Sequence, residues 1–110
     1  MTSEEMGMLI RGKKVLCRPY GLEYIVMDNH DIYVTVVRHE IITDPYNWLV
    51  RVNGKFVAIK DLDSLRLGDI LRARGGRSGK NYYVLRIYDD YVFAVSTMDI
   101  EDPTEWEIVK

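Results

Sequence analysis

The densest group of side chains able to do chemistry lies in a basic, glycine-rich segment, residues 72–80. Together with the tyrosine that follows, the candidate binding residues are Arg72, Arg74, Arg77, Lys80 and Tyr82. Guanidinium and ammonium groups bind phosphates, and an exposed aromatic ring can stack on a nucleic-acid base. The segment therefore indicates a site for nucleic acid or another polyanion. The alternative is a solvated loop between two strands, with no ligand.

Carboxylates are plentiful, with 17 Asp and Glu residues, but no pair of them is marked out by an apolar pocket, and histidine and cysteine are few. The chain has two histidines, His30 and His39, and one cysteine, Cys17. His39 precedes Glu40 on a predicted strand, where successive side chains point to opposite faces. No metal-ligand spacing is present, and a buried, inert Cys17 is the simpler interpretation. We expect no catalytic residue, no metal site and no cofactor, and we predict that the protein is not an enzyme.

The composition is that of one small globular domain or two very small ones. The chain has 110 residues, of which 47% are hydrophobic, and a formal net charge of −2. A basic domain is the usual footprint of a dedicated nucleic-acid binder, so the charge argues against that class but allows a local basic patch. The single cysteine indicates a reducing compartment. No apolar run approaches the roughly 18 residues of a transmembrane helix, so we predict a soluble, cytoplasmic protein.

The elements that must position these residues are predicted to be strands. Eight Tyr, two Trp and many Val and Ile residues favour β structure. We predict strands over residues 14–18, 24–27, 32–38, 48–52, 55–60, 70–74, 82–87, 91–96 and 106–109. Asn53-Gly54 predicts a type I′ hairpin turn, in which both residues have positive φ. Residues 61–66 are expected to form a short helical turn, and residues 1–11 an N-terminal tail or short turn.

An internal repeat organises these strands. Asp44-Pro45 with Trp48 recurs as Asp102-Pro103 with Trp106, a shift of 58 positions, and residues 21–50 align at that shift without a gap. The residues of the first half that recur unchanged are Gly21, Tyr24, Val26, Asp31, Tyr33, Val34, Val37, Ile42, Asp44, Pro45 and Trp48. Upstream the shift becomes 56, so that Arg18 corresponds to Arg74. A repeat of this kind predicts repeated architecture.

We therefore predict an all-β fold with internal duplication of a unit of about 50 residues and four to five strands. Residues 12–52 are the first copy, residues 53–62 a connecting hairpin strand, and residues 63–110 the second copy. The strand plan is similar to that of small SH3-like barrels, which implies two packed SH3-like barrels; one pseudo-symmetric barrel or sandwich is the alternative. Because both copies keep the tryptophan, we expect Trp48 and Trp106 in the core beneath the Asp-Pro corner.

The predicted function is non-enzymatic binding, with another protein as partner. Residues 48–60 form a hairpin that has no counterpart after Val109, and such a hairpin offers an edge for strand addition. We expect binding through strand edges and exposed tyrosines. The alternative is a weak nucleic-acid or polyanion binder that acts through the loop 72–80. No membrane partner is expected, and a dimer is compatible with the sequence.

Overall fold

The structure is a computed structural model that describes residues 1–75 and 80–110. Within these residues, nine antiparallel strands form one sheet, accompanied by the short helix α1 (Ser3–Gly7). The strands are β1 (Lys14–Cys17), β2 (Leu22–Asn29), β3 (Val34–Ile42), β4 (Trp48–Val52), β5 (Lys55–Ala58), β6 (Ile70–Ala73), β7 (Tyr82–Ile87), β8 (Val92–Ile100) and β9 (Trp106–Ile108). Three 3₁₀ turns cover Pro45–Asn47, Leu62–Ser64 and Pro103–Glu105. The all-β prediction is confirmed.

The strand order is β5-β4-β6-β7-β8-β3-β2-β1-β9, so the sheet is open and ends at β5 and β9. Closure into SH3-like barrels, or into one barrel or sandwich, is not confirmed by this order. Sequence neighbours pair in the hairpins β1–β2, β4–β5 and β7–β8. By contrast, β4 pairs with β6 and β9 pairs with β1, so these two strands leave the sequence copy to which they belong.

The local signals for turns are confirmed. Asn53 and Gly54 have φ of 52° and 80°, as a type I′ turn requires, and they join Val52 directly to Lys55. At the N-terminus, Thr2 Oγ1 accepts a hydrogen bond from the Glu5 amide at 3.1 Å, and the Glu5 carboxylate accepts one from the Thr2 amide at 2.9 Å. This capping box fixes the start of α1. The hydrogen bonds from Thr2 also lower the pKa of Glu5.

The chain forms two compact units. Unit 1 comprises Met1–Arg38 and Thr97–Lys110, and unit 2 comprises His39–Ser96. Strand β3 therefore begins in unit 1 and ends in unit 2, while β8 begins in unit 2 and ends in unit 1. The boundaries of the compact units therefore differ from those of the two sequence copies. Each sequence copy contributes residues to both compact units.

Unit 1 is built around an aromatic pair. Trp106 packs edge-to-face on Tyr24, with ring centroids 5.4 Å apart, and is only 3% exposed. The other buried members of this core are Met6, Leu9, Val15, Cys17, Val26, Val34, Val36 and Ile100. Beside the pair, the Arg18 amide donates to the Glu105 carbonyl at 2.9 Å, which ties β1 to the turn before Trp106. The expectation of a core tryptophan is confirmed for Trp106.

Unit 2 has the same plan. Trp48 packs edge-to-face on Tyr82, with ring centroids 5.3 Å apart. The buried core consists of Ile42, Ile59, Leu65, Leu71, Tyr82, Val84, Val92 and Ala94. Trp48 is half-buried against this core, so it is less enclosed than Trp106. The Arg74 amide donates to the Asn47 carbonyl at 2.8 Å, at the position that corresponds to the Arg18 bond in unit 1.

We expect Trp106→Ala to lower the free energy of unfolding by about 3–5 kcal/mol, since it removes a large buried ring and leaves a cavity. Trp48→Ala should cost less, because Trp48 is only half-buried. Urea denaturation followed by circular dichroism measures both values. A smaller loss for Trp106→Ala than for Trp48→Ala would contradict the assignment of Trp106 to the more enclosed core.

Hydrogen bonds in the corner formed by residues 102–105 before β9 predict that the stability of the fold depends on pH. Asp102 Oδ1 accepts hydrogen bonds from the Thr104 hydroxyl at 2.6 Å and the Thr104 amide at 3.0 Å, and these bonds lower the pKa of Asp102. A lowered folded-state pKa contributes stability above the unfolded pKa, and that stability is lost as the pH falls through the folded value. Thr104→Ala should raise the Asp102 pKa towards that of an ordinary aspartate, as measured by NMR titration. Thr97→Ala, an exposed control on β8, should leave it unchanged.

Candidate functional site

The open end of the sheet at β5 is the candidate binding edge. Strand β5 pairs with β4 through Lys55↔Val52, Phe56↔Arg51, Val57↔Val50 and Ala58↔Leu49. The pair that flanks a two-residue turn is hydrogen-bonded, and such pairs alternate along an antiparallel ladder. The main-chain N–H and C=O groups of Phe56 and Ala58 therefore point away from β4. No described strand pairs with that side of β5, so it presents a template for an added strand.

The other end of the sheet, β9, is partly covered. The amino group of Met1 donates to the Trp106 carbonyl at 2.8 Å. In unit 2 the corresponding strand is β4, and its outer side is covered by β5. Strand β5 in unit 2 thus occupies the position that the N-terminal residue Met1 occupies in unit 1. As a result, β5 carries the more open edge.

A cation and an aromatic ring lie beside this edge. Arg72 reaches from β6 across β4, and its guanidinium carbon is 4.1 Å from the centroid of the Phe56 ring. Arg72 Nη2 also donates to Asn81 Oδ1 at 3.1 Å. Leu71 is buried in the core, so Arg72 lies on the outer face of the sheet, as alternation along a strand requires. Arg72 therefore lies on strand β6, beside the candidate edge, rather than in a loop.

Of the basic residues of the predicted site, the structure describes Arg72, Arg74 and Lys80. Arg74 Nε donates to the Tyr46 carbonyl at 3.0 Å, so this side chain supports the turn before β4. Lys80 is half-buried, and Arg77 lies outside the described residues. Arg72 and Arg74 both have structural contacts, and their role in binding a polyanion stays a prediction.

Tyr82 lies in the core and Tyr83 on the surface. Tyr82 is 4% exposed and packs on Trp48, whereas Tyr83 is 43% exposed. The burial of alternate residues along β7 places the two rings on opposite faces. The exposed ring beside the basic segment is therefore that of Tyr83. The sequence contained a signal for the burial of Tyr82, because Tyr82 aligns with Tyr24 in the internal repeat. A residue that is identical in both copies is expected in the shared core.

Sequence reasoning missed an apolar groove in unit 2 of about 580 Å³, lined by Leu67, Leu85, Arg86, Ile87 and Tyr88. The corresponding place in unit 1 is polar. There Asn29, the counterpart of Ile87, donates from Nδ2 to the carbonyls of Met6, Gly7 and Leu9 at 3.0–3.2 Å. Comparison of the two copies at this position could have revealed the difference. The groove adds an exposed tyrosine, Tyr88, to the surface of unit 2.

The Arg72–Phe56 contact can be measured by a double-mutant cycle. With Arg72→Gln and Phe56→Leu, we expect a coupling free energy of about 0.5–1 kcal/mol, as for a cation over an aromatic face. The control cycle pairs Lys55→Gln with Phe56→Leu, because neighbours on a strand point to opposite faces and should couple weakly. Equal coupling in both cycles, determined from urea denaturation, would show that the contact contributes nothing specific.

Within residues 1–75 and 80–110, no helix is long and apolar enough to cross a membrane. In the same part of the chain, no three His, Cys, Asp or Glu side chains are grouped so as to hold a metal ion. Comparison with protein-family models, curated proteins and solved structures found no match for this chain.

Proposed function

We propose that this protein is a non-enzymatic interaction protein that binds another protein by accepting an extended segment on strand β5. The observation that carries the proposal is the outward orientation of the Phe56 and Ala58 main-chain groups at the open end of the sheet. In strand addition, main-chain hydrogen bonds supply affinity and alternate side chains supply specificity. The Lys55 side chain at the start of β5 discourages unselective pairing.

Exposed tyrosines support the same proposal. Ile70 pairs with Tyr83 across β6 and β7, and both lie on the outer face that carries Arg72. Tyr83 and Tyr88 are 43% and 44% exposed, and Tyr46 is 75% exposed. Aromatic residues are enriched in protein interfaces, where they combine a large apolar surface with a polar tip. A partner strand on β5 would therefore have further contacts available on unit 2.

We also propose that the chain arose by internal duplication of an SH3-like unit whose last strands are exchanged. The unit boundary after Arg38 corresponds, at the shift of 58, to the boundary after Ser96. Register shifts occur between Val26 and Asp28 on β2, and between Val84 and Arg86 on β7, again 58 positions apart. In each unit a 3₁₀ turn leads into a strand that pairs with the first strand of the other copy. These parallels support the duplication.

The rival function, a weak nucleic-acid or polyanion binder, is less well supported. Tyr82, the ring assigned to base stacking, is buried, although Tyr83 beside it is exposed. Arg74 is bonded to the turn before β4. The lowered pKa values of Glu5 and Asp102 arise from capping hydrogen bonds, which is a structural role rather than a catalytic one. The buried free thiol of Cys17 supports a cytoplasmic location.

The test uses Ala58→Pro, which removes the outward N–H of Ala58 and leaves the ladder to β4 intact. Ala58→Ser is the matched control, since it keeps the N–H. Affinity capture from a cell extract should recover the same protein with the native chain and with Ala58→Ser, and lose it with Ala58→Pro. Circular dichroism confirms that each variant is folded.

Capture that is indifferent to Ala58→Pro would exclude β5 as the binding edge. Gel-shift experiments with DNA and RNA over a salt series test the rival. A shift that weakens steeply with salt, and disappears when Arg72, Arg74, Arg77 and Lys80 are neutralised, would favour nucleic-acid binding instead.

A further inference from the structure

The end of the sheet at β5 is locally basic in a chain with a net charge of −2. The three strands β4, β5 and β6 carry Arg51, Lys55 and Arg72 and contain no Asp or Glu. Lys60 follows β5 after one residue, Ile59, that is buried in the core. The nearest carboxylates in the sequence, Asp61 and Asp63, lie at the next 3₁₀ turn, where Asp61 accepts a hydrogen bond from the Ser64 amide. A concentration of one sign of charge beside an open edge favours a partner of the opposite charge.

The cations lie on both faces of the β4–β5 hairpin, whose free edge an added strand would join. Arg51 is exposed and stands directly opposite Phe56, on the outer face that also carries Arg72. Lys55 lies on the other face with Val57, because alternate residues of a strand share a face. Val57 is 42% exposed and therefore leaves an apolar contact between the charged positions. On this face the edge strand thus presents Val57 as an apolar position near the cation Lys55.

We propose that the segment that adds to β5 is an acidic, extended polypeptide, with an apolar residue opposite Val57, a carboxylate opposite Lys55 and a further carboxylate that Arg51 attracts from β4, across Phe56. The inference rests on the proposed function and specifies its partner. Opposite charges on neighbouring strands stabilise pairing, and like charges destabilise it. Main-chain groups of a polypeptide complement the N–H and C=O groups of Phe56 and Ala58, which the sugar-phosphate backbone of a nucleic acid does not.

A second copy of this chain fits the edge less well. Pairing of two β5 strands would bring Arg51, Lys55 and Lys60 of both copies to one interface. Like charges at an interface oppose association. Charge complementarity therefore favours an acidic partner over self-association.

The probe is a library of random ten-residue peptides displayed on phage, selected against the native full chain. We expect the recovered peptides to be rich in Asp and Glu with alternating apolar residues. A recovered acidic peptide, made synthetically, should bind the native chain and Ala58→Ser but not Ala58→Pro. On binding, the amides of Phe56 and Ala58 should become protected from hydrogen exchange, since each gains a main-chain partner.

A charge swap tests the electrostatic part. The double variant Arg51→Glu with Lys55→Glu should weaken binding of the acidic peptide by about tenfold or more, because the cross-strand pair at Lys55 and the longer-range attraction of Arg51 both become repulsive. A peptide in which Lys replaces each acidic residue should regain binding to this variant. The control is Lys13→Glu with Lys14→Glu, two exposed positions of unit 1 that give the same change in net charge. The affinity of this control variant for the acidic peptide should stay near that of the native chain.

The outcomes separate the two proposals. Peptides that need the Ala58 N–H but are neutral or basic, or that ignore the charge swap, would overturn the acidic partner and leave strand addition standing. Failure to select any peptide, or binding unaffected by Ala58→Pro, would overturn both. Sedimentation showing a dimer that Ala58→Pro dissociates would assign the edge to a second copy and overturn the acidic partner.

Discussion

Each compact unit depends on one aromatic contact, the edge-to-face packing of a tryptophan on a tyrosine. In unit 1 Trp106 packs on Tyr24, and in unit 2 Trp48 packs on Tyr82. Both pairs join residues from different sequence copies, so neither copy can complete its own core from its own strands. The large apolar area of a Trp–Tyr pair makes this contact a main contribution to each core. Strands β3 and β8 each contribute residues to both units.

The corners that carry the tryptophans are set by local chemistry. Asp44 and Asp102 each accept a hydrogen bond from the amide two residues ahead, and the proline between fixes φ for a 3₁₀ turn. Each corner leads directly into the strand that begins with the tryptophan, β4 or β9. The amides of Arg18 and Arg74 then hold the end of each turn. Residues that recur at the shift of 58 are thus largely those that build corner and core.

Function is better sought where the copies differ. In unit 1 the strand of Trp106 is covered in part by the Met1 amine, whereas in unit 2 the equivalent strand carries the additional strand β5. That addition moves the open edge to a hairpin with basic side chains and no acidic ones. The strand pairs with β4, and Ile59 directly after it is buried in the core of unit 2 beside the shared residues. A binding edge can therefore differ between copies without altering the aromatic contact on which each unit depends.

Strand positions, the Asn53-Gly54 turn and the burial of Trp106 could be predicted from the sequence, because alternation, turn chemistry and aromatic burial act over a few residues. The bounds of β4 and β7 agree with the prediction. The placement of Arg72 over Phe56 could not be predicted, since it depends on the order β5-β4-β6. Nor could the choice of partner for β4 and β9. The two Asp-Pro-x-x-Trp segments are alike, so local sequence fits either copy's tyrosine, and the entropy of closing a longer loop rises only slowly with length. The sequence by itself determined the strands and corners, and only the tertiary structure decided which tyrosine each tryptophan meets.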